Sequence, residues 1–503
     1  MNLMLLLEMA HQSHGERPAL TSGGTTWSYS ELYASAGRVA SALRASGTAH
    51  AALLDVSSAA VPISLFASSW AGLPFVPLNY RLPDDALDAL LARIAPVRLT
   101  TDPARAARLA GRDRLEVVTR EDLLACAARG EVPDADWDMD PDAIAILLFT
   151  SGTTGEPKAA VLRHRHLVSY VLGTIEFASA AEQDAGLVAV PPYHIAGMAS
   201  ILTAVYAGRR IVQLPEWSAK EWLRLAREER VTNAFVVPTM MARILDELGD
   251  RPADLPHLRG ISYGGGKMPR PVIERAMRAF PGVDFTNAYG LTETSSTLSI
   301  LHPQDHRDAL ASADPAVRRR IASLGKPLPN LEVEIRDPRG RVLGPGEVGE
   351  IHVRGEQVSG EYLGRESRVG RDGFFPTRDG GWLDEAGYLF LEGRIDDVIV
   401  RGGENLSPGE IEDVLLGHPA VSDAAVVGVP DEHWGEAVAA VVALRSGVAG
   451  DDALRHALRE RVRDALRGSR IPSRIEFRDS LPYNETGKLL RREVREWLTK
   501  AES

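Results

Sequence analysis

The sequence predicts an α/β protein built on largely parallel sheets and followed by a small α+β domain, and three observations carry that expectation. Short apolar runs alternate with helical patterns over most of the chain. Between 325 and 355 the pattern changes to short strands separated by the turn signals DPRG and GPGE, which predicts a small antiparallel or barrel-like subdomain. After Gly387 a charged, unpatterned GRIDD interrupts two β-rich runs, as a domain boundary would. At 503 residues and 44% apolar composition the chain has ample material for several buried cores.

Taken in order, the apolar run at 3–7 has no basic residue before it and is cut short by Glu8. It reads as a first amphipathic helix, not as a secretory signal or membrane span. From 26 onward, TWSYSELYASAGRVASALRASG sets Leu32, Ala36, Val39 and Leu43 at helical spacing, with Ser28 or Ser30 as N-cap and Gly47 as the stop. Runs at 53–56, 59–70, 75–77, 97–100 and 115–119 continue the alternation, and the Ala/Arg/Leu-rich stretches at 104–112 and 123–129 read as outer helices. The run at 144–149 is a buried strand with TSGTTGEPK, 150–158, as the loop at its end. There Gly152 and Gly155 let backbone N–H groups approach an anion. Thr150, Ser151, Thr153 and Thr154 add hydroxyls and Lys158 adds a point charge, so the loop can cradle phosphate. It is not the GxxxxGK[ST] loop of kinases and ATPases.

LVAVPPYHIAGM, 187–198, reads as a strand ending in prolines, with Tyr193 and His194 just beyond, where open α/β sheets build sites. A helix at 217–230, a strand at 233–237 stopped by Pro238 and a helix at 240–248 follow. ISYGGGKMP, 261–269, places Gly264, Gly265 and Gly266 after a short β run, either as a flexible turn or where a flat ring lies against backbone. FTNAYGLTETSS, 285–296, then offers Asn287, Tyr289, Thr292 and Glu293, and a carboxylate this near a phosphate site is a natural Mg²⁺ ligand. Past the GRIDD break, Ser407, Pro408 and Glu410 form a helix start with Ser407 as N-cap. Strands at 424–429, 438–444 and 474–477, a helix at 452–467 and a last helix from about Lys488 complete the small domain.

With 57 basic and 69 acidic residues the net charge is −12, which argues against nucleic acid or an anionic membrane as the principal partner. No stretch approaches the roughly 18 uninterrupted apolar residues of a membrane span. The one cysteine, Cys126, excludes an intramolecular disulfide and a Cys-based zinc site, and reads as buried filler in a reducing, cytoplasmic compartment.

TSGTTGEPK, PPYH, NAYGLTE, GRIDD, RGGENLSPGEIE, DEHWGE and LPYNETGK, in that order, resemble the adenylate-forming superfamily of acyl-CoA synthetases, peptide-synthetase adenylation domains and luciferases, over nearly the whole chain. The resemblance implies an N-terminal domain at 1–394 of two doubly wound sheets with a β-barrel part at about 320–390. It further implies a hinge at 395–397 centred on Asp396 and a mobile α+β C-terminal domain at 398–503. The implied activity is that of an AMP-forming acid–CoA ligase using ATP, Mg²⁺ and CoA, or a carrier-protein pantetheine in place of CoA. A carboxylate attacks the α-phosphate of ATP and releases pyrophosphate, and a thiol then displaces AMP from the acyl-adenylate.

By the same resemblance the 150–158 loop holds the β- and γ-phosphates, Thr292 contacts the α-phosphate, and Glu293 with Thr153 serves Mg²⁺. Gly264 to Gly266 and Tyr289 flank adenine, Asn287 and Gly290 belong to the nucleotide site, and Asp379 and Arg394 hold the ribose. Lys488 bridges the substrate carboxylate and the α-phosphate. Gly402 and Gly403 let backbone approach pantetheine, and His194 gates between acyl pocket and thiol tunnel. Tyr193, Val237 and Met240 line the acyl pocket, which favours a neutral hydrophobic acid.

Two positions depart from the family pattern. Arg378 stands where Thr-Gly-Asp normally precedes the ribose-binding aspartate. If that glycine serves a positive φ, arginine costs about 1–2 kcal/mol in strain. Its side chain either competes for Asp379 or points outward. Lys267 sits beside the adenine shelf. Arg378 keeps open a ligase impaired in adenylation that chiefly converts a preformed acyl-adenylate. A luciferase-like oxidoreductase is the alternative from another class.

Overall fold

Small and β-branched apolar residues at the predicted runs condense into two large sheets with a shared helical layer between them. The computed structural model describes residues 1–150, 157–466, 468–483 and 489–500. One sheet has six strands in the order Leu115–Thr119, Val97–Thr101, His50–Leu54, Phe75–Pro77, Ile144–Thr150 and Lys158–Arg163. All its pairings are parallel except the last, a hairpin in which Thr150 faces Lys158. The other sheet has nine strands, with Ala185–Val188, Asn233–Val236, Gly260–Gly264 and Asp284–Leu291 as parallel neighbours at its centre. Leu20, Val188 and Ile211 of this sheet share one core with Leu53, Phe75 and Ile146 of the six-stranded sheet, bridged by Leu32, Phe66, Trp70 and Leu202 from helices. Burial on both faces explains why these strands read as continuous apolar runs.

Helix ends follow the sequence signals closely. Ser28 caps Tyr29–Ser46 through a reciprocal box with Glu31, and Gly47 ends it at φ 65°. The strand expected to run from Leu187 into the prolines at 191 and 192 stops earlier, at Val188. The helix Ile195–Ala207 begins directly after His194, its N-cap, because the two intervening prolines cannot donate to a ladder. The last helix spans Arg491–Lys500, so it starts later than Lys488. Ser407 is the N-cap of Pro408–Leu416, yet its hydroxyl donates to the Glu392 carbonyl and not to the helix. Cys126 is half-buried at the edge of the main core.

The barrel-like part is a four-stranded antiparallel sheet of Glu332–Arg336, Gly349–Arg354, Phe375–Leu383 and Leu389–Arg394 in sequential order. Its core joins Ile335, Ile351, Val353 and Phe375 to Leu298 of the nine-stranded sheet. The chain leaves this sheet at Arg394, makes one 3₁₀ turn at Ile395–Asp397, and enters a separate sheet at Ile399–Arg401. That second sheet, with the long hairpin Val421–Asp431 and Gly435–Leu444 at its heart, buries its own core of Ile411, Val426, Val442 and Leu458. Among the described residues no helix is long and apolar enough to cross a membrane.

Two histidines open the helix His164–Thr174, each 2% exposed, and each accepts a backbone N–H on Nδ1 at 3.2 Å, from Leu3 and Arg163 respectively. Burial lowers both pKa values to about 4, helped at His166 by Arg165 and Arg163. Between pH 6.5 and 4 the unfolded chain binds protons that the folded one refuses, so stability falls as pH drops through that window. The expected loss is of order 3 kcal/mol per histidine. Chemical denaturation of His166→Asn, whose amide oxygen replaces the Nδ1 acceptor, should show a flatter pH profile than the parent.

Candidate active site

Parallel neighbours end on the same edge of a sheet, so the loops after Val188, Val236, Gly264 and Leu291 all emerge side by side. This edge gathers Tyr193 and His194, Val237 and Met240, Gly264 to Gly266, and Tyr289 to Glu293. Gly264 must be glycine, since a Cβ there would lie 2.1 Å from the Ala288 carbonyl oxygen, and Gly265 follows at φ 77°. The three glycines therefore present bare backbone beside Val237 and Pro238, a shelf on which a flat ring can lie.

Next to the shelf, Tyr289 donates its hydroxyl to Asp379 Oδ2 at 2.5 Å, and Arg394 donates Nη1 to Asp379 Oδ1 at 2.9 Å and to the Thr377 carbonyl at 2.9 Å. Asp379 and Arg394 face each other across neighbouring strands of the four-stranded sheet, while Tyr289 comes from the nine-stranded one. Burial, then the Asp379 carboxylate, push the Tyr289 hydroxyl well above its ordinary range, so it stays a donor. Asp379 is 6% exposed, and two of the roughly four acceptor sites on its carboxylate remain for hydroxyls of a ligand. Asn287 is buried and gives its amide to the Ser323 carbonyl at 3.1 Å, which fixes the strand that carries Tyr289 and Gly290.

Thr292 and Glu293 form a single 3₁₀ turn at the end of that strand. Glu293 Oε1 accepts the hydroxyl of Tyr362, and Lys158 Nζ lies 5.8 Å from the centre of the same ring. The geometry thus brings the lysine of the first motif and the acid of the third to one side chain. Tyr362 belongs to an irregular stretch with neither helical nor strand periodicity, which left sequence reasoning no signal for it. Ser151, Gly152, Thr153, Thr154, Gly155 and Lys488 lie outside the described residues. A glycine shelf, a carboxylate with free acceptor sites, a lysine and a second carboxylate form a donor set that fits a magnesium nucleotide.

His194 packs against Tyr193 at 4.6 Å between ring centres, and Tyr193 against Tyr80 at 5.4 Å. Burial, with Arg81 adding to it, lowers the His194 pKa to about 4. The neutral ring keeps a buried Nε2 without a partner among the described residues. Tyr193 and Val237 are buried, and Met240 is partly buried against the core that holds Val236, Met241 and Phe285.

Arg378 has φ 65°, the left-handed conformation for which glycine is favoured. Its backbone N–H donates to Glu350 at 3.0 Å, and its guanidinium pairs with Asp396 Oδ1 at 2.5 Å, away from Asp379. Lys267 does not stay beside the glycine shelf alone: its ammonium pairs with Asp413 at 2.7 Å and reaches the Gly409 carbonyl at 3.2 Å, both past the connector. Gly402 and Gly403 form the tight turn between Ile399–Arg401 and Glu404–Leu406, with the Gly402 N–H donating to the Trp434 carbonyl at 2.8 Å.

Residues 7–363 match the family of AMP-binding enzymes, and residues 410–488 match the AMP-binding enzyme C-terminal domain. The chain belongs to the AMP-binding enzyme family. A feruloyl-CoA synthase from Amycolatopsis sp is 35% identical, with 95% of each chain covered. Among solved structures, the o-succinylbenzoate CoA synthetase from Bacillus subtilis in complex with its acyl-adenylate intermediate superposes with a TM-score of 0.83 at 30% identity, covering 97% of both chains. ATP-bound MatB from Rhodopseudomonas palustris superposes with a TM-score of 0.88 at 28% identity over the full length of both. This member of the AMP-binding family is an AMP-forming acyl-CoA synthetase of the adenylate-forming fold, and ATP, Mg²⁺ and CoA are the cofactors of that activity.

Proposed function

We propose that the chain activates a neutral, hydrophobic organic acid as its acyl-adenylate and transfers the acyl group to the thiol of CoA. The observation that supports this best is the meeting of the glycine shelf, Tyr289, Asp379 and Arg394 at the sheet edge that also holds Tyr193, His194 and Val237. A nucleoside site and an apolar pocket side by side are what a mixed anhydride of an apolar acid and AMP needs. In the first step a carboxylate oxygen attacks the α-phosphorus and the bond to the β-phosphate breaks, releasing pyrophosphate. Bringing these anions together requires cations and donors, and Lys158 and the Thr292 hydroxyl supply them from the chain, with Lys488 as the bridging cation. Glu293, with Thr153, would hold Mg²⁺, which supplies charge neutralisation for the departing pyrophosphate. The ribose is held by Asp379, with Arg394 and Tyr289 fixing the carboxylate.

In the second step the CoA sulfur attacks the acyl carbon and AMP leaves. His194, neutral above about pH 5, acts as an apolar gate between acyl pocket and thiol path and not as a base. Gly402 and Gly403 present backbone to the pantetheine arm once the 398–503 domain turns about Asp396. Quantifying AMP and acyl-CoA with a panel of acids tests the reading. An aromatic or branched hydrophobic acid is expected to give both products in equal amounts with ATP, Mg²⁺ and CoA. Preference for a dicarboxylic acid, or oxygen uptake without thioester, would contradict it.

Because the Arg378 guanidinium turns to Asp396, it leaves the free acceptor sites of Asp379 open, which supports a complete ligase over an impaired one. Arg378→Gly relieves about 1–2 kcal/mol of left-handed strain. It forfeits an exposed ion pair worth about 0.2–1 kcal/mol and adds about 0.5–1 kcal/mol of chain entropy to the unfolded state. The expected net change in denaturation free energy is within about 1 kcal/mol of zero, and ATP–pyrophosphate exchange is expected to stay within about threefold. A gain of tenfold or more in exchange would show that Arg378 obstructs adenylation.

A further inference from the structure

Residues 359–363 form a strap zipped onto two parts of the site at once. The Ser359 N–H donates to the Glu293 carbonyl at 2.8 Å, and the Ser359 hydroxyl donates to the Val161 carbonyl. In the other direction the Val161 N–H donates to the Glu361 carbonyl at 3.0 Å and the Leu363 N–H to the Ala159 carbonyl at 2.9 Å, with Tyr362 bridged to Ala160. Arg163 and Glu361 close the outer side as an ion pair at 2.7 Å. The backbone therefore fixes Tyr362 between the strand that starts at Lys158 and the turn that carries Glu293, and its side chain is 6% exposed.

From that place the phenol serves two opposite charges. Its hydroxyl donates to Glu293 Oε1, and its ring face receives the Lys158 ammonium at 5.8 Å. A lysine and a glutamate that paired directly would neutralise each other. An interposed tyrosine satisfies both without that, because a cation–π contact leaves the ammonium donors free and the hydroxyl occupies one carboxylate oxygen only. We infer that Tyr362 is a positioning residue for adenylation: it holds Glu293 aimed at the metal and Lys158 aimed at the phosphates as two separate charges. This inference rests on the function proposed above.

The test is equilibrium binding of ATP with and without Mg²⁺, by titration calorimetry, to the full chain and to Tyr362→Phe, Glu293→Gln and the double variant. The parent is expected to bind ATP at least tenfold more tightly with Mg²⁺. Tyr362→Phe keeps the ring and is expected to lose about five- to tenfold of that gain, the net size of one hydrogen bond, with Mg²⁺-free affinity within about twofold. On the Glu293→Gln background the same change is expected to do nothing further. Glu293→Asp, which keeps the charge but draws it away from the hydroxyl, is expected to lose as much as Tyr362→Phe and serves if that variant does not fold. A full Mg²⁺ gain in Tyr362→Phe overturns the inference. An equal loss with and without Mg²⁺, as a merely structural role would give, also overturns it, as do losses that multiply in the double variant. If the parent gains nothing from Mg²⁺, the proposed function itself fails and takes this inference with it.

Discussion

Asp379→Ala is expected to lower kcat/KM for ATP in acid-dependent ATP–pyrophosphate exchange by about a hundredfold or more, as removal of a buried charged ligand contact does. Two losses combine. The ribose loses its acceptor, and Arg394 and the Tyr289 hydroxyl lose the carboxylate that orients both of them. Stability falls too, by about 1–3 kcal/mol, because a half-buried guanidinium loses its carboxylate and keeps only the Thr377 carbonyl, with the third of the side chain that meets solvent softening the loss. Asp379→Asn separates the two effects. The amide oxygen still accepts from Tyr289, so denaturation should recover most of the stability while exchange stays well below the parent. Thioester formation from a synthetic acyl-adenylate should weaken through KM, because the adenylate carries the same ribose. Unchanged exchange in Asp379→Ala would remove the nucleotide from this corner of the fold.

Glu293→Gln is expected to cut exchange by about a hundredfold at millimolar Mg²⁺, the effect of deleting one charged group from a transition state with developing anionic charge. The amide oxygen can still accept the Tyr362 hydroxyl, so thermal stability should change little. Thioester formation from a preformed acyl-adenylate needs no pyrophosphate departure and is expected to stay within about threefold of the parent. An equal fall in both half-reactions would place Glu293 in the scaffold and not at the phosphates.

Much of this arrangement was legible in the sequence for identifiable reasons. The strand at 144–149 is buried at four successive residues, so an unbroken apolar run marked it, while Pro238 and the glycines after Tyr263 marked the ends of the strands at 233–236 and 260–264; each placed the next motif at a strand end. Gly264 is needed because the Ala288 carbonyl leaves no room for a Cβ, so the triple glycine marked a close backbone approach. The run before Pro191 shows the limit of apolar composition: the strand ends at Val188, yet Ala189 and Val190 are as buried as the strand itself, so composition does not mark where pairing stops.

The unread part is tertiary. Nothing local in Gly360, Glu361 and Tyr362 signals that the strap lies between Lys158 and Glu293, since pairing across some two hundred residues is set by the docking of the four-stranded sheet. Lys267 could be placed beside the glycine shelf from sequence, but its partner Asp413 lies 146 residues away beyond the connector. At Arg378 the sequence raised both a backbone and a side-chain question. The backbone is left-handed, as a family glycine would allow, and the guanidinium faces Asp396.

The most direct measurement compares acid-dependent ATP–pyrophosphate exchange with thioester formation from the corresponding synthetic acyl-adenylate and CoA, for one hydrophobic acid and the unaltered chain. Both half-reactions proceeding with that acid is the predicted result. Thioester formation without exchange, in the presence of Mg²⁺ and saturating ATP, would contradict a complete ligase and make the left-handed arginine at 378 the place where adenylation fails.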